Sequence, residues 1–199
     1  METPETTASG LAPGFLVAAP ALRDPNFARS LVLMVEHGPS GSLGFVVNRP
    51  SPLTVGELLE QVNPALRELA ERDGRAGASV LAGGPVQPER LWILHRTRPG
   101  PEVEEGVLIA GTVAVGGSRE MLEALIREPA AGPFLLLLGY AGWGPLQVER
   151  EVAVGGWVPL PFEPGLVFEV PYEVRWEEAV KRLGLTPGGF SVGGGGAQA

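Results

Sequence analysis

The chain has 199 residues, 44% of them hydrophobic, which is enough to bury one sizeable core, so a single domain is expected. Its 23 acidic against 15 basic residues give a net charge of −8, and no basic stripe offers itself to nucleic-acid phosphates. Cysteine is absent, which excludes a disulfide framework, a zinc–thiolate site and a cysteine nucleophile.

The opening METPETTASG is acidic and polar, and no apolar run approaches the ~20 residues needed to span a bilayer. A cytoplasmic protein is expected, with no membrane contact and no direct nucleic-acid contact. Residues 1–10 read as a flexible tail, 11–185 as one domain and the Gly-rich 186–199 as a second flexible tail.

Taken in order, 14–18 is a short apolar segment. The apolar runs 31–35 and 43–47, joined by the turn-rich 36–41, predict an antiparallel hairpin. Thr54-Val55-Gly56-Glu57 has the spacing of a capping box and starts a short helix that stops before Pro64. The charged stretch 65–78 reads as a helix remnant followed by a mobile connection. Segments 79–82 and 91–95 read as strands on either side of Gly83-Gly84-Pro85, and Pro99-Gly100-Pro101 as an exposed loop. Two more strands, or one bent strand, follow at 107–110 and 113–115. Ser118 then caps a helix in which Met121, Leu122, Leu125 and Ile126 recur at helical spacing.

The run 134–138 is five large apolar residues, a buried strand that is expected to end at the loop Gly139-Tyr140-Ala141-Gly142-Trp143-Gly144-Pro145. Tyr140 and Trp143 each bring a flat ring with one polar tip, so this loop either plugs a core or lines a pocket. Residues 146–154 read as a short helix, 157–160 and 166–168 as strands, and 173–183 as a last helix closed by Gly184. Strands in runs with helices inserted irregularly give an α+β class rather than a doubly wound sheet.

GYAGWGPLQVERE resembles the signature of the YqgE/AlgH family, small bacterial proteins often labelled transcriptional regulators. The resemblance extends through Asp24-Pro25-Asn26-Phe27, Glu36-His37, Gly44-Phe45-Val46-Val47-Asn48-Arg49-Pro50, Gly83-Gly84-Pro85-Val86 and Leu91-Trp92-Ile93-Leu94-His95. It implies a bifurcated, mostly antiparallel sheet curled into a pseudo-barrel with helices packed outside. One departure lies in the central motif, where the family usually has glycine before the glutamine and this chain has Leu146.

No P-loop, nucleophile elbow or zinc-binding helix motif is present, and no cofactor or metal is expected. His37 and His95 each close an apolar strand, where an imidazole serves as a general base, a metal ligand or a hydrogen-bonded structural group. Glu36 and Glu149 are the carboxylates that would orient such a base. Asn48 and Arg49 bring amide and guanidinium donors suited to a carboxylate or phosphate, or else tie the turn that they close.

Two functions follow. In the first, the protein binds a small molecule or a protein partner without catalysis, in a pocket of Asn48, Arg49, the Gly83-Gly84 turn, Tyr140 and Trp143, with Gln147 and Glu149 close by in the motif. In the second it is a hydrolase or transferase using a histidine–carboxylate pair.

Overall fold

The computed structural model describes residues 10–96, 107–109, 113–128 and 132–186. Strands β1 (Gly14–Ala18), β2 (Leu31–Gly38), β3 (Gly41–Val46) and β4 (Pro50–Thr54) lead into helices α1 (Val55–Val62) and α2 (Pro64–Arg72). Strands β5 (Ser79–Ala82), β6 (Val86–Arg96), β7 (Val107–Leu108) and β8 (Val113–Gly116) precede α3 (Arg119–Arg127). The chain continues through β9 (Phe134–Trp143), α4 (Gln147–Ala153), β10 (Trp157–Pro161), α5 (Pro164–Phe168) and, after a 3-10 turn at Tyr172–Val174, α6 (Arg175–Arg182).

The class is α+β. One ten-stranded sheet runs β10-β1-β2-β3-β9-β6-β8-β7, with β4 and β5 branching from it, and its path stays open rather than closing into a barrel. The fork lies on β9. One side of that strand pairs antiparallel with β6, while its other side pairs parallel with β5 at Leu137 and Leu138 and antiparallel with β3 at Ala141 to Trp143. At the outer edge, Pro159 and Pro161 of β10 withhold two backbone donors, which discourages a further strand.

Period-2 alternation on the strands builds three apolar clusters. Phe15, Val17, Leu31 and Leu33 face a central core closed by Trp176, Ala179 and Val180 of α6, and the alternate residues Leu16, Ala18, Val32 and Met34 face Val148 of α4 and Trp157. Helices α1, α2 and α3 cover the outer face of β5, β6 and β9. Two caps predicted from sequence are made: Thr54 and Glu57 form a reciprocal capping box, and the Ser118 hydroxyl accepts the Met121 N–H at 3.0 Å. Arg175 is buried at the start of α6, donating to the Val47 and Val170 carbonyls, and burial pushes its guanidinium down to about 10.

Three local expectations change. Beyond Arg72 the connection is held by backbone hydrogen bonds, including Gly56 N–H to the Ala76 carbonyl at 2.8 Å, and by Arg75 donating to the Leu125 and Ile126 carbonyls. Segment 166–168 belongs to helix α5, not to a strand, because Pro164 supplies the pre-set φ of a first helical turn and Leu166 and Val167 then both reach the core. The loop at Pro99-Gly100-Pro101 and both expected tails, apart from Gly10 and Thr186, lie outside the described residues.

The third change is the largest. β9 does not end at Leu138 but runs on to Trp143, since Gly139 at φ +70° kinks the strand without breaking it. Before the kink, odd positions such as Leu137 face the central core; after it Tyr140 does, while Ala141 and Trp143 face the cluster under α4. The kink also needs a close crossing. A Cβ on Gly84 would lie 2.2 Å from the Tyr140 backbone, and one on Gly139 would lie 2.5 Å from the Gly84 oxygen.

Candidate functional site

Trp143 ends β9, and the chain turns through Gly144-Pro145-Leu146 into α4. Gln147 closes the turn by accepting the Gly144 N–H on its Oε1 at 3.0 Å, and helical spacing then sets Gln147 and Glu151 side by side. Gln147 Nε2 donates to Glu151 Oε1 at 2.9 Å, and the indole N–H groups of Trp143 and Trp157 donate to Glu151 Oε2 at 3.0 and 2.9 Å. One carboxylate thus fixes a glutamine and two tryptophans from three segments.

Phe27 completes an aromatic group here. It stacks on Trp143 with ring centroids 5.9 Å apart and meets Trp157 edge-on at 5.4 Å. These rings, Gln147 and Glu151 line a cleft of about 270 Å³, together with Leu22, Asp24 and the exposed Val154. Trp143 is only 5% exposed, so its ring is both core and wall.

The other expected site residues are distributed elsewhere. Asn48 ties its own hairpin, accepting the Leu31 N–H at 2.8 Å and donating to the Arg29 carbonyl at 2.9 Å. Arg49 spends its guanidinium on the carbonyls of Pro25, Asn26 and Ala28, so it holds the loop that carries Phe27 instead of an anion. Gly83 and Gly84 form the backbone crossing over β9, with Gly83 N–H donating to the Leu138 carbonyl at 2.7 Å. Tyr140 points to the central core, edge-on to Trp92, on the face opposite Trp143. The pocket expected from Asn48, Arg49, the Gly83-Gly84 turn, Tyr140 and Trp143 therefore does not assemble, because three residues along a strand reverse the face and the polar groups are used locally.

The histidines stand apart in role. His37 on β2 bonds through Nδ1 to the Ser42 hydroxyl at 2.9 Å, and its Nε2 lies 3.8 Å from Glu149 of α4. Glu36 beside it is exposed and sits opposite Leu43. His95 is half-buried, with Nδ1 3.2 Å from the Arg96 carbonyl and Nε2 without a partner among the described residues. Among the described residues no group of three or more His, Asp or Glu is placed to hold a metal ion.

Sequence reasoning missed Asp24, Phe27, Glu151 and Trp157 as one constellation. The i, i+4 relation of Gln147 and Glu151 was a signal, but the approach of the 24–27 loop and β10 is tertiary. Leu146 sits at φ +59°, a left-handed position where glycine is unstrained, which accounts for the family's glycine and not for this leucine; its side chain is 56% exposed and does not line the cleft.

Comparison with known proteins adds the following. The model of an AlgH-like family, DUF179, matches residues 15–188. A UPF0301 protein of Anaeromyxobacter sp. strain Fw109-5 is 66% identical over 198 residues, covering 98% of this chain and 100% of that one. A UPF0301 protein of Chromobacterium violaceum is 38% identical over 173 residues, 87% of this chain and 90% of its own. The solution structure of the AlgH protein from Pseudomonas aeruginosa superposes with a TM-score of 0.71 at 33% identity, covering 99% of this chain and 100% of that chain. A crystal structure of a protein from Corynebacterium diphtheriae shares the fold, with a TM-score of 0.69 at 24% identity over 92% of this chain and 90% of that one.

Proposed function

This chain belongs to the AlgH-like family, and from that premise we propose that it is a non-enzymatic binding module whose ligand or partner occupies the cleft between β9, α4 and the 22–27 loop. The observation that carries the reading is Glu151, whose carboxylate accepts three N–H groups and so holds the polar and aromatic wall in place before anything binds. A wall already ordered costs little further entropy on association. The cleft is near the lower end of the size range of small-molecule sites, and its polar lining side chains are Asp24, Gln147 and Glu151.

A cytoplasmic location and an indirect part in regulation belong to the same proposal. The net charge of −8 favours a route through a ligand or a protein partner over contact with nucleic-acid phosphates. Among the described residues no helix is long and apolar enough to cross a membrane.

A small-molecule thermal-shift screen tests the reading. A ligand at ten times its Kd adds about 1.4 kcal/mol and raises the Tm of a chain this size by roughly 3–6 °C. Val154 is 83% exposed at the cleft, so Val154→Arg should obstruct it without disturbing the core. Hits should stabilise the parent and not this variant; hits that stabilise both equally contradict the proposal.

A second reading, an enzyme with a histidine–carboxylate pair, has one observation in its favour. Ser42 Oγ, His37 and Glu149 lie in the order hydroxyl, imidazole, carboxylate, at 2.9 and 3.8 Å. Labelling of Ser42 by a fluorophosphonate, lost in His37→Ala, would support it; an unreactive Ser42 removes it.

A further inference from the structure

We propose that this cleft selects a small organic cation, an ammonium or guanidinium group on an apolar body; the inference rests on the cleft being the binding site. Asp24 and Glu151 both line it, and among the described residues neither pairs with a lysine, arginine or histidine. Arg23 and Arg150, their basic neighbours in sequence, do not line the cleft. Asp24 is exposed, with Oδ1 accepting the Asn26 N–H at 2.8 Å and Oδ2 accepting no hydrogen bond among the described residues. Glu151 takes two indole donors on Oε2 and one amide donor on Oε1, all of them neutral. Those bonds orient the carboxylate and leave its charge uncompensated.

The remaining wall is aromatic. Phe27 is the half-buried ring of this wall, Trp143 and Trp157 being almost wholly buried at 5% and 2% exposure, and an accessible aromatic face attracts a cation. A cation therefore gains from both kinds of lining group. An anion meets two unpaired carboxylates, and a neutral ligand leaves them unanswered. The volume of about 270 Å³ equals that of about nine liquid waters, the scale of a molecule such as phenethylamine.

The test uses the full chain labelled with ¹⁵N, reading the indole N–H resonances of Trp143 and Trp157. Phenethylammonium should move both at a Kd at least tenfold below that of phenethyl alcohol, its neutral counterpart. The advantage should shrink in about 1 M salt, where the screening length is about 3 Å. Asp24→Asn keeps the Oδ1 acceptor for Asn26 and removes one charge; it should weaken the ammonium about three- to tenfold with the rest of the spectrum unchanged. Equal binding of the alcohol overturns the cation assignment while the cleft reading stands. Response to the tripeptide Gly-Lys-Gly but not to phenethylammonium overturns the small-molecule source. If neither probe moves either indole the assignment falls, and the Val154→Arg screen separately decides the cleft.

Discussion

The Trp143 indole donates its N–H to the Glu151 carboxylate at 3.0 Å, joining the end of the strand on which the sheet forks to the helix that follows it. The ring also packs under α4 with Val148 and Trp157. Trp143→Ala should therefore cost about 3–5 kcal/mol, the range for emptying a buried aromatic site, and Trp143→Phe, which keeps a ring and removes the donor, about 1.5–3 kcal/mol. Chemical denaturation measures both. Tyr140→Phe should stay within about 0.5 kcal/mol of the parent, since the Tyr140 hydroxyl has no hydrogen bond among the described residues.

The crossing of Gly84 over β9 makes a sharper demand. Gly84→Ala would put a methyl group 2.2 Å from backbone atoms of Tyr140, a contact that no rotamer relieves, so a loss of at least about 3 kcal/mol or failure to fold is expected. Gly74, also at positive φ, has open space where a Cβ would stand, with nothing within 4 Å, so Gly74→Ala should cost only the left-handed penalty of about 1–2 kcal/mol. Equal losses at the two positions would contradict the crossing.

Leu146→Gly should stabilise the chain. The left-handed conformation costs a leucine about 1–2 kcal/mol, and the extra freedom of glycine in the unfolded chain returns about 0.5–1 kcal/mol of that, leaving a net gain of about 0.5–1 kcal/mol. Urea denaturation with an unchanged m-value checks it; a loss would mean that the exposed leucine makes contacts worth more than its strain.

Glu57 gives a pH signature. Its carboxylate is held below the usual 4.5, first by the Thr54 backbone N–H and then by the Thr54 hydroxyl. The unfolded chain thus takes up this proton at higher pH than the folded one. The capping contribution is complete above about 4.5 and is lost as pH falls through the lower folded value. A ¹³C titration of the Glu57 carboxyl should show the lowered midpoint, and Thr54→Ala should return it to the ordinary range.

Local signals were legible where the chemistry is local. The Thr54–Glu57 box, the Ser118 cap and the spacing of Leu122, Leu125 and Ile126 each name a helix from neighbouring residues alone. Leu166-Val167-Phe168 was not legible, because a three-residue apolar run fits a buried strand and a short helix equally well. The same holds for β9 beyond Leu138: pairing with β3, and with β6 at Tyr140, makes Gly139 a kink in a strand instead of the start of a loop. That pairing decides the site, since it turns Trp143 away from Tyr140 and brings it to Glu151. Asn48 and Arg49 looked like ligand donors because sequence does not reveal that the carbonyls of Pro25, Asn26, Ala28 and Arg29 come back to meet them.

The most direct test of the cleft as the binding site is shift mapping, on the ¹⁵N-labelled chain, of the compound that raises Tm most in the screen. The amides of Leu22 and Phe27 and the indoles of Trp143 and Trp157 should move most, with saturation at the Kd that the Tm rise implies. Perturbations centred instead on His37 and Ser42, or on the apolar cavity walled by Val55, Ser79 and residues 133–136, would contradict it.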